Sequence, residues 1–429
     1  MLKSVVREFC PEFVMATYRS FRLFLQRKYR ILKYRKLIKQ TQEHYKTIAE
    51  RIKNRGNKSI RFASYVVYDS TFGAYELMEL MIARQNNYSP KIVICPDVAR
   101  GEHHLREQYK KTKEFFVNKY GKEYVIDGYD EATGSFIDVS DQFDIIYCAN
   151  PYDAMVNKVH GVQYLSTRNV LPVYITYCFQ PNKYTFGVMS LLEVSLFWKV
   201  FTDTQYTMSE YQRYELIKGK NVELTGYAKM DSLGKYASRE RSKKRIIISP
   251  HHTITNTALP LSNFLKYKDF ILTLPQKFPQ VNFVFRPHPL LFINMINEGF
   301  WTEKDRDAYI ISLRRVGIEY SAGGDYFDLF VNSDALIHDC SSYMVEYLYL
   351  DKPCCFVKKD NTETFLSKLG NECLKCHDVA TNEQEIESFI QRVVSNSYDI
   401  HGKNRDLILK KVKINYPKVS QKIMECITV

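Results

Sequence analysis

The sequence predicts an α/β protein of two Rossmann-like domains facing a cleft, preceded by a basic helical extension. Three observations predict it. The chain has 429 residues, more than one domain comfortably holds. From residue 61, short β-branched and apolar runs alternate with helix-like ones, the pattern of parallel α/β layers. That series breaks at a polar, charged stretch over 231–244 and then starts again. The units expected are therefore 1–60, 61–240 and 241–429. With 45% hydrophobic and 25% charged residues the chain is globular, which excludes a disordered or fibrous protein.

The extension carries the charge. Residues 1–60 hold 16 Lys and Arg against four Asp and Glu, nearly all of the net +13 of the chain. Phe21, Phe24, Leu25, Ile31, Leu32 and Ile38 recur near helical spacing, with Arg22, Arg27, Arg30, Lys33 and Lys36 between them. This predicts a helical hairpin or one long helix. A basic amphipathic helix with aromatic residues on its apolar side suits an anionic membrane surface, to which residues 1–55 are assigned. A helix packed on the body and a nucleic-acid arm are the alternatives, since a basic arm alone is not selective; no nucleic-acid partner is assigned.

No secretory signal is visible, because the N-terminal apolar stretches are broken by charge. No run reaches the about 20 apolar residues of a spanning helix, and the most apolar piece, 184–201, is interrupted by Glu193 and Lys199. A cytoplasmic location is expected. Ten cysteines make no disulfide framework: Cys95, Cys148, Cys354 and Cys355 sit inside apolar runs, where a free thiol is a small hydrophobe. Cys373-Leu-Lys-Cys376-His377 spells a haem-attachment pattern, but attachment needs export. A zinc site would need a second ligand pair, for which only Cys354 and Cys355 are near. The motif is expected to be a chance feature of a surface loop.

In the first half the strand-like runs are 63–68, 91–96, 144–149, 170–177, 199–204 and 221–226. The second half adds 245–250, 283–287, 335–339 and 354–357. Ligands of open α/β sheets bind beyond the carboxyl ends of the strands, and the informative residues of the second half lie there. Ser249-Pro250-His251-His252-Thr253 follows one strand, Arg286-Pro287-His288-Pro289 a second, and Asp339-Cys340-Ser341-Ser342 runs from a third into a helix. Arg286 offers a planar fork to phosphate oxygens, and His288 a hydrogen bond to a leaving phosphate. Ser341 and Ser342 are expected to cap a helix whose N-terminus holds phosphate. His251, His252 and Thr253 supply further donors. Together the three turns predict an anion site. No metal ligands stand out, since Asp305-Arg306-Asp307 lies in a charged helical stretch. The absence of a glycine-rich fingerprint argues against a dinucleotide cofactor.

At these residues the chain resembles the CDP-glycerol glycerophosphotransferases of teichoic acid and capsule synthesis. Their signature of a strand, Asp-Tyr-Ser-Ser, Leu-x-Lys-Pro and an apolar strand is matched by SDALIHDCSSYMVEYLYLDKPCCFV over 333–357. Arg286-Pro287-His288-Pro289 matches the upstream element, and ELTGYAKMDSL over 223–233 is similar to the Thr-Gly-x-x-x-x-Asp segment closing the first domain. The resemblance implies a GT-B architecture with no catalytic metal and no cofactor, the first domain taking the acceptor and the second the nucleotide donor. It implies a CDP-glycerol-like donor on His288, Ser341 and Ser342 with Arg286 nearby. The acceptor would be a surface polymer or lipid-linked primer at the inner face of the cell membrane. Two positions depart from the family: its Trp-His-Gly-Thr-Pro motif is replaced by a histidine-free stretch over 173–181, and Glu346 stands where aspartate is usual. A GT-B glycosyltransferase using a nucleotide sugar in surface polysaccharide synthesis is therefore the second reading. The base on the acceptor side is expected at Asp69, just after the first strand, where it would otherwise be a turn residue.

Overall fold

A computed structural model describes residues 12–56, 59–256, 259–323, 325–399 and 405–428. Strands β1 (Ile60–Val66), β2 (Tyr88–Ile94), β3 (Val125–Asp127), β6 (Ile145–Cys148), β7 (Leu171–Ile175), β8 (Lys199–Thr202) and β9 (Val222–Leu224) form one sheet. A short hairpin, β4 (Tyr129–Asp130) and β5 (Ser135–Phe136), stands apart. The sheet order is β3-β2-β1-β6-β7-β8-β9, and every pairing is parallel. Parallel sheets are covered on both faces, which explains the continuous apolar runs. Phe62 and Val66 pack to one side with Ile92 and Ile145, while Ala63 and Tyr65 pack to the other with Val93 and Ile146.

The second sheet contains β10 (Lys244–Ser249), β11 (Val281–Phe285), β12 (Glu319–Tyr320), β13 (Ala335–His338), β14 (Cys354–Val357) and β15 (Asp378–Ala380). Its order is β12-β11-β10-β13-β14-β15, again parallel. This is the doubly wound order, and its switch point lies between β10 and β13. Register there is tight: Ile248 pairs with both Phe285 and Ile337, and Ser249 with His338. The three strands carrying the candidate residues therefore end side by side.

The extension is one helix, Glu12–Asn54. Its last third is no free arm. Ile38, Tyr45, Ile48 and Ile52 are buried against the first sheet, the Tyr45 hydroxyl donates to the Leu196 carbonyl at 2.5 Å, and Arg55 forks onto Asp144 at 2.7 and 2.6 Å. Ile31 and Tyr34 are partly buried against the same domain, and residues 1–11 lie outside the described ones. No described helix is long and apolar enough to cross a membrane.

The chain end differs from the linear division at 240. Helix Val419–Ile427 packs into the core of the first sheet through Val419, Ile423, Met424 and Ile427. The segment over 223–233 makes this return fit. Gly226 has φ +98°, and a Cβ there would lie 2.1 Å from the Ile414 carbonyl oxygen. Asp231 then accepts the main-chain N–H groups of Val419 and Ser420 at 3.2 and 2.6 Å. Gly226 and Asp231 thus hold the crossing chain.

Candidate functional site

The carboxyl ends of β10 and β11 bring three imidazoles together. The ring centroids of His252 and His288 are 4.1 Å apart, those of His251 and His252 4.4 Å, and those of His251 and His288 5.2 Å. One ring nitrogen from each lies within 4.8 Å of the others. The surrounding donors set the tautomers. Nδ1 of His288 accepts the Leu290 main-chain N–H at 3.1 Å. Nδ1 of His252 accepts the Asn294 amide at 3.0 Å, and the same amide donates to the His252 carbonyl at 3.1 Å. Nδ1 of His251 accepts the Thr253 main-chain N–H at 3.3 Å, with the Thr253 hydroxyl 2.9 Å away. With Nδ1 an acceptor in all three, Nε2 carries the proton in all three. The cluster is a set of neutral N–H donors.

Burial keeps it neutral. Desolvation lowers His252 to about 4, and lowers His288 and His251 well below the ordinary histidine value, with neighbouring imidazoles adding to the effect in both. An unfolded histidine titrates near 6.5, so as pH falls the unfolded chain takes up these protons first. The stability present above about pH 6.5 is thus lost as pH drops towards 4. Denaturation midpoints should fall between pH 7 and 4.5 in the wild type and fall less in His252→Gln; equal slopes would exclude this linkage.

Asp339 organises the site, a role the sequence did not disclose. It is buried, and its carboxylate accepts the His251 main-chain N–H at 2.5 Å and the Asn263 main-chain N–H at 2.6 Å. The end of β13 thereby clamps the His251 turn, and burial raises the carboxyl to about 6. Arg286 is also buried, and donates to Ser321 Oγ and the Gly323 carbonyl, each at 2.8 Å, beneath the Tyr326 ring. Two of its nitrogens thus anchor the 321–323 loop, which narrows the expected phosphate fork.

The serines are arranged differently from a helix cap. Helix Tyr343–Glu346 has four residues, and Ser342 is itself helical (φ −66°, ψ −41°) with no capping bond. Its hydroxyl instead donates to Glu346 at 2.5 Å, and the Tyr326 hydroxyl donates to the other oxygen of that carboxylate at 2.5 Å. Ser341 meets the first domain, its Oγ accepting the Asn182 amide at 3.4 Å. Glu346 is a positioning residue one turn away, and Asn182 is one that only a long-range contact reveals.

In the first domain the expected base lies in a turn. Asp69 is half-buried in the turn Asp69–Thr71 after β1, where its carbonyl accepts the Tyr75 hydroxyl at 3.0 Å. Nearby, the buried Asp97 receives bonds from Tyr68 and Arg100, and His104 Nε2 lies 3.0 Å from the Tyr68 hydroxyl. The loop replacing the histidine motif has no neutral-pH base: burial, helped by Glu346, pushes the Cys178 thiol to about 12, and burial raises Tyr177 well above its ordinary value.

Residues 200–428, over half of the chain, match the family model for CDP-glycerol:poly(glycerophosphate) glycerophosphotransferase. The chain belongs to this family. It is a transferase of the glycerophosphotransferase type. Among solved structures, the wall teichoic acid polymerase TagF, a histidine-to-asparagine variant soaked with CDPG, has a TM-score of 0.54 at 14% identity over 94% of this chain and 96% of that one. The UDP-GlcNAc 2-epimerase of Methanocaldococcus jannaschii, with UDP-GlcNAc and UDP, has 0.55 at 9% identity over 86% and 99%. The MnaA–UDP structure from S. aureus has 0.52 at 12% identity over 85% and 95%. At these identities the likeness is one of fold, two Rossmann-like domains in the GT-B arrangement. No curated protein matches the sequence.

Proposed function

We propose that this glycerophosphotransferase moves glycerol phosphate, or a related polyol phosphate, from a CDP-activated donor to a hydroxyl of a surface polymer or lipid-linked primer. The observation that carries the reading is the trio of neutral imidazoles with the proton on Nε2, at the carboxyl ends of β10 and β11 beside the switch point of the second sheet. The neutral Nε2–H groups donate hydrogen bonds to diphosphate oxygens. The acceptor hydroxyl attacks the distal phosphorus, the bond to the bridging oxygen breaks, and CMP leaves. The hydroxyl proton passes to a first-domain base, assigned to Asp69. Charge growing on the bridging and non-bridging oxygens is met by His288, His251 and His252, with Thr253, Ser341 and Ser342 completing the cradle and Arg286 holding its wall.

The test is release of CMP from CDP-glycerol with incorporation of labelled glycerol phosphate into a polymer acceptor. Asp69→Asn should lose transfer while still binding CDP. Retained transfer in Asp69→Asn, with loss in His104→Gln, would move the base to the Tyr68–Asp97–His104 cluster.

Attachment to the inner face of the membrane rests on the helix before Ile38. Leu25, Tyr29 and Leu32 recur at helical spacing and are exposed, among the cations Arg30, Lys33 and Lys36. Replacing all three with Glu should abolish flotation with phosphatidylglycerol vesicles while leaving soluble activity intact, because the buried Ile38–Ile52 face is untouched. Unchanged flotation would remove the membrane assignment.

A further inference from the structure

We propose that His338, Cys354 and His377 form an interior site for a zinc-class divalent cation beneath the donor loop, separate from the three-histidine cluster. They come from three neighbouring strand ends: His338 closes β13, Cys354 opens β14, and His377 immediately precedes β15. All three are buried, at 2%, 0% and 2% exposure. The Cys373–His377 motif is thus no surface loop, since Cys373, Cys376 and His377 all lie in the interior. The chain has folded its histidine against the cysteine dipeptide named above as the nearest second ligand source.

One donor atom from each residue lies within 4.8 Å of the others. A tetrahedral ion with Zn–N near 2.0–2.1 Å and Zn–S near 2.3 Å needs donors roughly 3.3–3.8 Å apart, so small side-chain rotations close the set. Ring orientation favours it. His338 Nδ1 is 2.9 Å from the Cys340 carbonyl, and His377 Nε2 is 2.7 Å from the Met344 carbonyl. A carbonyl only accepts, so those nitrogens carry the protons and the opposite ones present lone pairs. Metal-binding histidines are held in this way by outer acceptors. His338 Nε2 is buried and has no hydrogen-bond partner among the described residues. A buried polar atom with no partner is costly, and a cation would satisfy it. Burial raises the Cys354 thiol well above its ordinary value, with Arg405 offsetting only part of that, so the ion itself displaces the thiol proton to solvent as the thiolate coordinates.

The consequence is local. Cys340 and Met344, whose carbonyls orient the two rings, flank Ser341 and Ser342, so the ion would fix the loop that carries the donor serines. The role is structural and sits apart from the transfer step.

The test uses the full-length protein, with metal analysis after gel filtration and cobalt(II) substitution. The wild type should retain stoichiometric zinc, and its cobalt form should show a near-ultraviolet thiolate-to-metal band. Cys354→Ser and His377→Gln should lose both, while Cys376→Ser and His252→Ala should keep them. Absence of zinc together with no thiolate band on cobalt titration of the wild type would overturn the proposal. Loss of zinc in His252→Ala with retention in Cys354→Ser would overturn it too, placing the ion on the donor cluster. If Cys354→Ser fails to fold, the wild-type cobalt spectrum decides alone.

Discussion

Replacing His288 by alanine should lower glycerophosphate transfer by about 10²–10³-fold, the effect of removing one preorganised donor from developing charge. The tautomer decides this. The Leu290 N–H fixes Nδ1 as acceptor, so Nε2 carries the proton, and desolvation keeps the ring neutral. Alanine removes the donor and leaves the Leu290 N–H without its acceptor in a turn that is only partly buried, at a stability cost of about 1 kcal/mol. His288→Gln keeps an N–H within reach and should recover part of the rate. Saturation kinetics of CMP release, with denaturation of each variant, separates chemistry from folding. A large loss of stability at unchanged kcat would make His288 a packing residue.

Asp339→Asn should have the second largest effect. The buried carboxylate receives the main-chain N–H groups of His251 and Asn263 on separate oxygens. An amide offers one oxygen and turns its NH₂ towards the other N–H, leaving a buried donor opposed by a donor. The expected cost is about 1–3 kcal/mol, with a fall in donor affinity as the His251 turn loosens. The pH sign follows from burial, which raises the carboxyl to about 6 where an unfolded aspartate titrates near 3.9. Above about pH 6 this ionised group costs stability, a cost that disappears as pH falls from 6 towards 3.9. Its proton, however, removes an acceptor from one of the two turns. Wild-type donor affinity should therefore fall as pH drops through about 6, and the variant should lack that step.

Those two residues mark what was legible in the chain. Arg286, His288, His251 and His252 were readable because apolar β-branched runs end abruptly in Pro- and His-containing turns, and strand ends are where such sheets bind ligands. Asp339 was visible only as a strand-end residue; its clamp joins positions 76 and 88 residues away, and no local pattern encodes that. The serines misled for a local reason. Ser-Ser before an apolar run reads as a cap, yet Glu346, one turn on, takes the Ser342 hydroxyl and the chain is already helical.

The basic extension was read by its charge and by an apolar recurrence ending at Ile38, with packing on the body only an alternative; the buried stripe runs on through Tyr45, Ile48 and Ile52. Two parallel sheets were legible from alternation. The return of Val419–Ile427 to the first was not, because an amphipathic helix does not say which sheet it covers.

The nucleotide diphosphate is expected on the histidine-lined carboxyl ends of β10 and β11, beside the switch point of the second sheet. Calorimetric titration of the full-length protein with CDP, CMP, UDP and GDP, on wild type and His288→Ala, tests it most directly. CDP should bind in preference to UDP and GDP, and the binding should be lost or strongly weakened in the variant. Nucleotide binding that is absent in the wild type, or equal in wild type and His288→Ala, would contradict it.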